Sequence, residues 1–288
     1  MKDFSLSFYH ISFIYFSDTS TSSLIHRRQQ SLSSSYRLFY SSAPLQLLKG
    51  EGMYLFDEKG NRYLDCYNNV ASVGHCHPHV LRSVTAQLAT LNTHTRYLHP
   101  SIVTLSERLI ASLPRPLGKC FFTCSGSEAN DLAYRLARSH VMRRWIERER
   151  RDGVTADFDR REKESGMVGV ICSQYAYHGG THATAAFTPC YLLPPPSSSS
   201  SSSPLNLPAH IETVDFISLL ESRSSSSVSD NLMSPPQECD AIVKAIHALK
   251  ERNVIPAMLI LDCGLTSDGV HPVTSSLLRS IMYTCKKT

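Results

Sequence analysis

The 288-residue sequence predicts an α/β fold in which a mostly parallel sheet is covered by helices on both faces. Two kinds of observation lead there. Short runs that are apolar without alternation, such as VGVICS at 168–173 and AMLIL at 257–261, have the length of strands and the composition of strands buried on both sides. Around them, apolar residues recur three and four apart, and small polar turns open helices, most clearly CSGSEAND at 124–131. At 42% hydrophobic, the chain can bury one large domain or two small ones.

Composition excludes several classes. A formal net charge of +4 with scattered Lys and Arg leaves no nucleic-acid footprint. The densest basic run, Arg143 to Arg151, also carries Glu147 and Glu149 and reads as a solvated helix face. Nine cysteines, an odd number without a CxxC pair, fit reduced thiols in an intracellular compartment. Residues 1–37 are rich in Ser, Phe and Tyr, with Asp3 and Asp18 as the only acids; this fits a mitochondrial presequence and equally a disordered tail. Its apolar part, FSLSFYHISFIYF, is too short and too polar to span a membrane, so no membrane role is expected.

From Phe39 the pattern is regular. Met53 to Asn69 predicts a hairpin of two short strands about the turn Glu58 to Asn61. His75, Cys76, His77 and His79 have the chemistry of zinc ligands, but Pro78 breaks the extended segment and no second cluster stands at a recognisable spacing; loop-orienting or helix-opening roles are expected, and no metal. Val80 to Leu91 and Ile102 to Leu113 carry helical periodicity and are expected to pack on a sheet. Lys119 to Thr123 alternates and is aromatic, which favours a strand. Ser125, Gly126 and Ser127 then allow backbone N–H groups to approach an anion at the positive end of the next helix, with Ser127 as its cap. An ordinary strand-to-helix turn uses the same residues for local reasons. A serine-hydrolase elbow does not fit, because Cys124 stands where that motif needs Gly.

Beyond this helix, residues 141–166 read as an insertion in which the helix is extended and a loop follows about Asp152-Gly153. A strand at Met167 to Ser173 ends in QYAYHGG at 174–180. Residues 194–236 are dominated by Ser tracts of low complexity, with His210 to Leu220 as a strand and helix start between them. A helix at Cys239 to Arg252, a strand ending at Asp262 and a last helix from Val273 resume the α/β rhythm.

SGSEAND followed by an apolar helix resembles the phosphate-binding segment of the class III pyridoxal-phosphate aminotransferases. Tyr54 to Val80, Asn92 to Val103 and Gln174 to Gly180 resemble further segments of that family in the same order. Within it they are most similar to the branch of phospho-lyases acting on phosphoethanolamine or phosphohydroxylysine, described as alanine-glyoxylate aminotransferase 2-like. The resemblance is good from Phe39 to about Tyr191 and weak beyond.

This resemblance implies a partial fold-type-I architecture: an atypical tail at 1–37, a small-domain hairpin and lead-in at 38–91, and a partial large domain at 92–288. It implies pyridoxal 5′-phosphate as cofactor, with Ser125, Gly126 and Ser127 at its phosphate, Tyr177 stacked on its ring, His178 fixing the loop, and Asp262 near the ring where the family usually has Glu. Asn69, Arg96 and Tyr97 would face a small-molecule amine substrate, with the Arg96 guanidinium suited to a substrate phosphate. The family's site lies at a homodimer interface. No residue matches the family's Schiff-base lysine or the aspartate that pairs with the pyridine nitrogen, so no catalytic residue is assigned. The resemblance therefore implies an aminotransferase or phospho-lyase represented by a truncated chain, or a catalytically inactive relative that binds phosphate or a partner.

Overall fold

The computed structural model describes residues 19–67, 69–153, 168–191, 207–225 and 238–288. They divide into two units, Met1–Val103 and Thr104–Thr288.

In the first unit, helix α1 (Thr21–Ser31) is capped by Ser20, whose hydroxyl accepts the Ser23 N–H. It lies within the compositionally atypical tail. Strands β1 (Leu47–Glu51), β2 (Tyr54–Asp57) and β3 (Arg62–Leu64) then form an antiparallel meander. The predicted hairpin is the β2–β3 pair. Asp57 builds its turn: the carboxylate accepts the backbone N–H groups of Lys59 (2.9 Å) and Asn61 (2.8 Å), the Asn61 amide (2.9 Å) and the Tyr63 hydroxyl (2.9 Å). Burial alone would raise this carboxyl, yet the hydrogen bonds from Asn61, Tyr63 and Lys59 outweigh it and hold Asp57 below the ordinary carboxylate range. Strand β1 has no alternating signal of its own and is recruited by pairing with β2.

Helices α2 (Pro78–Thr90) and α3 (Pro100–Ala111) form where their periodicity predicts. Neither buries a residue, so the expected packing of these helices on a sheet is not observed. Their apolar stripes, including Leu88 and Leu105, stay in solvent because no sheet face lies beneath them among the described residues.

The second unit contains α4 (Gly126–Arg151), β4 (Val168–Ser173), the short α5 (His182–Ala186), β5 (Ile211–Val214), α6 (Phe216–Ser225), α7 (Asp240–Glu251), β6 (Ile255–Leu259) and α8 (Ser275–Lys287). The three strands are parallel in the order β5-β4-β6. Every residue of β4 is buried, as its unbroken apolar run predicts. On one face Ile171 and Val214 meet Ile242, Ile246 and Leu249 of α7 and Leu277 and Ile281 of α8. On the other, Val170, Cys172 and Ile211 meet Phe187 and Tyr134 of α4. The sheet is thus parallel and covered on both sides, the fold-type-I arrangement in part.

One strand expectation needs correction. Lys119 to Thr123 is not a strand: no neighbouring backbone pairs with it among the described residues, and Phe121 is 67% exposed. Alternation with aromatics describes a surface suited to a sheet, but a strand exists only with a ladder partner. Between the Ser tracts the expected strand and helix start is present: Ile211–Val214 is a hydrogen-bonded member of the sheet, α6 follows, and Phe216 is fully buried. The Ser tracts on either side lie outside the described residues, as does 154–166 of the first insertion. The last three predicted elements are present as α7, β6 and α8, with β6 two residues earlier than expected.

Close packing of α7 on the sheet depends on Gly169 in β4. A Cβ there would lie 2.7 Å from Val254 Cγ1 and 3.0 Å from both Leu249 methyls. Gly169→Ala should destabilise this unit by about 1–3 kcal/mol through overpacking, read as a lower urea midpoint with an unchanged slope.

Candidate functional site

Helix α4 begins at Gly126, and Ser125 is its N-cap. The Ser125 hydroxyl accepts the Glu128 N–H at 3.2 Å, while the Glu128 carboxylate reaches back to the Cys124 N–H at 2.8 Å. This is the S-x-x-E logic of a capping box, worth about 1 kcal/mol. Ser127, expected as the cap, lies two residues too late for that role. It has a different task, since its hydroxyl accepts the Gly180 N–H at 3.2 Å. With Glu128 satisfied by the cap, the N–H groups of Gly126 and Ser127 remain without acceptors among the described residues, at the positive end of a 26-residue helix.

The loop after β4 is laid on this helix end. Gly179 sits at φ +130°, and a Cβ there would come within 2.6 Å of Ser127 Oγ and 2.7 Å of Ser127 Cα. Only glycine fits both the conformation and the gap. Asn130 of α4 donates to the His178 carbonyl at 2.9 Å. The buried Thr188 hydroxyl accepts the His178 N–H at 3.2 Å and lies 2.9 Å from the Gly179 carbonyl. The two motifs, SGSEAN and YHGG, are therefore one structure, at the carboxyl end of a parallel strand where open α/β sheets place their ligands.

His178 is 5% exposed, and its Nε2 is buried without a hydrogen-bond partner. Burial pushes the imidazole below its ordinary value, and the charge of Asp262 opposes this only in part. His178 is therefore held neutral. Tyr177 is 49% exposed, with its ring accessible rather than packed in the core.

The loop after β6 supplies carboxylates. Asp262 accepts the Gly264 N–H (2.9 Å), the Thr266 N–H (2.9 Å) and the Thr266 hydroxyl. Burial would raise its carboxyl, but these bonds, chiefly from Thr266, win and keep it below the ordinary range. Asp268 accepts the Ser173 hydroxyl at 2.6 Å, and its second oxygen is buried without a partner. Burial pushes Asp268 up, as do the charges of Asp262 and Asp215, against the lowering effect of Ser173 and the Tyr175 N–H. Around Asp268 the backbone adopts positive φ at Leu265 (+41°) before it and at Gly269 (+114°) and Val270 (+65°) after it. Strain of about 1–3 kcal/mol at each non-glycine position is typical of a loop over-determined by its surroundings.

Ser125, Gly126, Ser127, Tyr177, His178 and Asp262 thus all lie in one unit. Asn69, Arg96 and Tyr97 belong to the other. There the Asn69 amide donates to both Asp65 oxygens, at 3.0 and 2.9 Å, and His75 Nε2 lies 2.7 Å from Asp65. Those bonds, Asn69 first and then His75, hold the Asp65 carboxyl low. His75 orients this loop, and His77 precedes the first residue of α2. Arg96 is exposed; its backbone N–H bonds His94 Nδ1 at 3.2 Å, and the His94 ring stacks on Tyr97 at 5.0 Å. Sequence reading missed Asp268, Ser173, Thr188 and the bridging role of Asn130. Only Asn130 had a signal, as part of SGSEAN; the others are contacts between residues far apart in the chain.

A family model described as aminotransferase class-III matches residues 39–288. The chain is 42% identical over 165 residues to an alanine–glyoxylate aminotransferase 2-like protein of Drosophila melanogaster, covering 57% of this chain and 28% of that one. It is 45% identical over 152 residues to the mitochondrial alanine–glyoxylate aminotransferase 2 of Homo sapiens, covering 52% of this chain and 25% of the relative. A solved phospholyase from Arthrobacter in complex with phosphoethanolamine superposes with a TM-score of 0.65 at 28% identity, over 92% of this chain and 53% of that one. The chain thus spans less than a third of the length of these two curated relatives and about half of the solved structure.

The neutral, buried His178 gives a pH signature. Its folded value lies below the ordinary 6.5, so its contribution to stability is complete above 6.5 and is lost as pH falls from there through the lowered folded value. Urea unfolding at about pH 7.5 and about pH 5.5 should show a loss on the acid side, and His178→Gln should shrink it. Asp262 acts with the same sign only below its ordinary 3.8, outside this window.

Proposed function

The chain belongs to the class-III aminotransferase family, and from that premise we propose that it acts as a pyridoxal-phosphate-dependent protein of the phospho-lyase branch, on a small phosphorylated amine. Pyridoxal 5′-phosphate is the cofactor of the family. The observation that carries the proposal is the approach of Gly179 to Ser127, which forms a backbone-lined cradle at the free N–H end of α4. The buried, unpartnered Nε2 of His178 beside it is a polar atom waiting for a ligand. The residues present fit the cofactor.

When bound, the cofactor supplies an electron sink for the carbon next to the substrate nitrogen. In this reading Ser125, Gly126 and Ser127 hold its phosphate through backbone N–H groups and the helix dipole. The accessible Tyr177 ring covers the face of the pyridine and stops it rotating about its phosphate. His178, fixed through its backbone by Asn130 and Thr188, offers one neutral ring nitrogen. Asp262, kept ionised by Thr266 and Gly264, presents negative charge at the end of β6. Arg96, in the other unit, is proposed to bind the substrate phosphate bidentately, beside the stacked Tyr97, with Asn69 as a further substrate contact.

A phosphorylated substrate is supported by the phosphoethanolamine named for the Arthrobacter phospholyase. A second copy of the chain is the proposed partner, because the segment of Arg96 and Tyr97 resembles one that borders the family's site between subunits. A mitochondrial location is supported by the name of the human relative and by the basic, acid-poor start of the sequence. Among the described residues no helix is long and apolar enough to cross a membrane.

Equilibrium dialysis against pyridoxal phosphate tests the cradle: the chain should bind, and Gly179→Ala should weaken binding at least about tenfold, since its Cβ displaces Ser127. Ser127→Glu should abolish binding by setting a carboxylate against the phosphate. Borohydride reduction of the loaded chain followed by peptide mapping should yield no stoichiometrically labelled lysine; one such peptide would overturn the assignment of purely noncovalent binding. For the substrate, calorimetry on the loaded chain should show phosphoethanolamine binding more tightly than alanine. The reverse order would favour an aminotransferase.

A further inference from the structure

The loop after β6 reaches back to the turn that launches Tyr177. Ser173, the last residue of β4 and buried, donates its hydroxyl to Asp268 Oδ2 at 2.6 Å. The Ser173 carbonyl accepts the Ala176 N–H at 3.2 Å and closes the turn. Tyr177 follows immediately. The far end of the loop is held separately, by Thr188 and Asn130 on His178 and by Ser127 on Gly180.

The near end therefore depends on Asp268. Its environment is poor for a carboxylate kept only for stability: Oδ1 is buried with no partner, and Asp262 and Asp215 both act against its charge. The segment that carries it is strained at Leu265 and Val270, so the loop is held in a conformation it would not adopt alone. An acid placed at such cost in a loop that touches the ring-bearing turn calls for a role at the site.

We propose that Asp268 is a positioning residue: its bond to Ser173 fixes the turn that sets the plane of the Tyr177 ring, and so the ring-specific part of cofactor recognition. This rests on the cofactor-site reading above, but it separates two things that reading joins. The phosphate is held at α4, by residues Asp268 does not touch. The ring is held at Tyr177, through Asp268.

The test uses the 288-residue chain with pyridoxamine 5′-phosphate and, separately, inorganic phosphate as probes. Asp268→Ala should weaken pyridoxamine phosphate by about tenfold, the worth of one hydrogen bond to a charged group, and erase the induced circular dichroism of its ring. Inorganic phosphate should bind as before, within about twofold. Asp268→Asn keeps an acceptor for the Ser173 hydroxyl and should restore the induced signal, which a loss of general packing would not do. If Asp268→Ala does not fold, Ser173→Ala removes the same bond from its donor side and should reduce the induced signal in the same direction. Equal ring signal and equal selectivity in the folded variant would overturn the inference. Wild-type chain that binds neither probe would instead overturn the cofactor-site reading, and the two failures are thus distinguishable.

Discussion

The closest approach in the site, Gly179 against Ser127, is the contact on which the rest of the arrangement depends. It fixes how far the loop after β4 stands from the start of α4, and a single methyl group would open it. Because the loop is that near, Ser127 can take the Gly180 N–H and Asn130 can reach the His178 carbonyl. Those bonds in turn occupy side chains and leave backbone N–H groups at the helix end. The backbone N–H groups of Gly126 and Ser127 are thus left at the helix end by what the side chains around them are prevented from doing. Had Ser127 been the cap, its hydroxyl would have folded back on its own helix and the loop would have lost its anchor.

Beneath this contact is the burial of β4 on both faces. A strand with no solvent side has one register and one height in the sheet, so the residues that follow Ser173 are delivered to a fixed point. Gly169 extends the same logic to α7, whose Leu249 packs where a side chain on the strand would be. The position of the loop is thus inherited from apolar packing well below it. The polar bonds of Asn130, Thr188 and Asp268 refine a placement that hydrophobic burial has already made.

How much of this was legible in the sequence follows from the range of the interactions. Val168–Ser173 could be read as a covered parallel strand because its neighbours on both faces leave the same apolar mark on every residue. The Ser125–Glu128 cap was legible in principle, being a spacing of three, yet Ser127 seemed the better cap from composition alone. Lys119 to Thr123 misled because alternation records which side chains prefer burial and says nothing of whether a backbone partner is at hand. The helices at 78–90 and 100–111 were legible as helices and not as packed ones, for the same reason. Asp268 left no trace: its partner Ser173 is 95 residues earlier, and nothing in TSDGV marks an acid that will be buried.

Charge at the strand ends shows where the fold gives up stability. Asp215, Asp262 and Asp268 stand near the carboxyl ends of three adjacent parallel strands, and two of them are held low by hydrogen bonds while the third is driven up. A protein optimised for stability alone would place an amide or a serine at the third position. Asp268 also lies in a segment with two non-glycine residues at positive φ, so its neighbourhood carries electrostatic and backbone cost together. Such costs persist when something else over-determines the geometry. In this molecule the partner that fixes Asp268 is Ser173, which opens the turn before Tyr177, so the strain in one loop is tied to the geometry of the other.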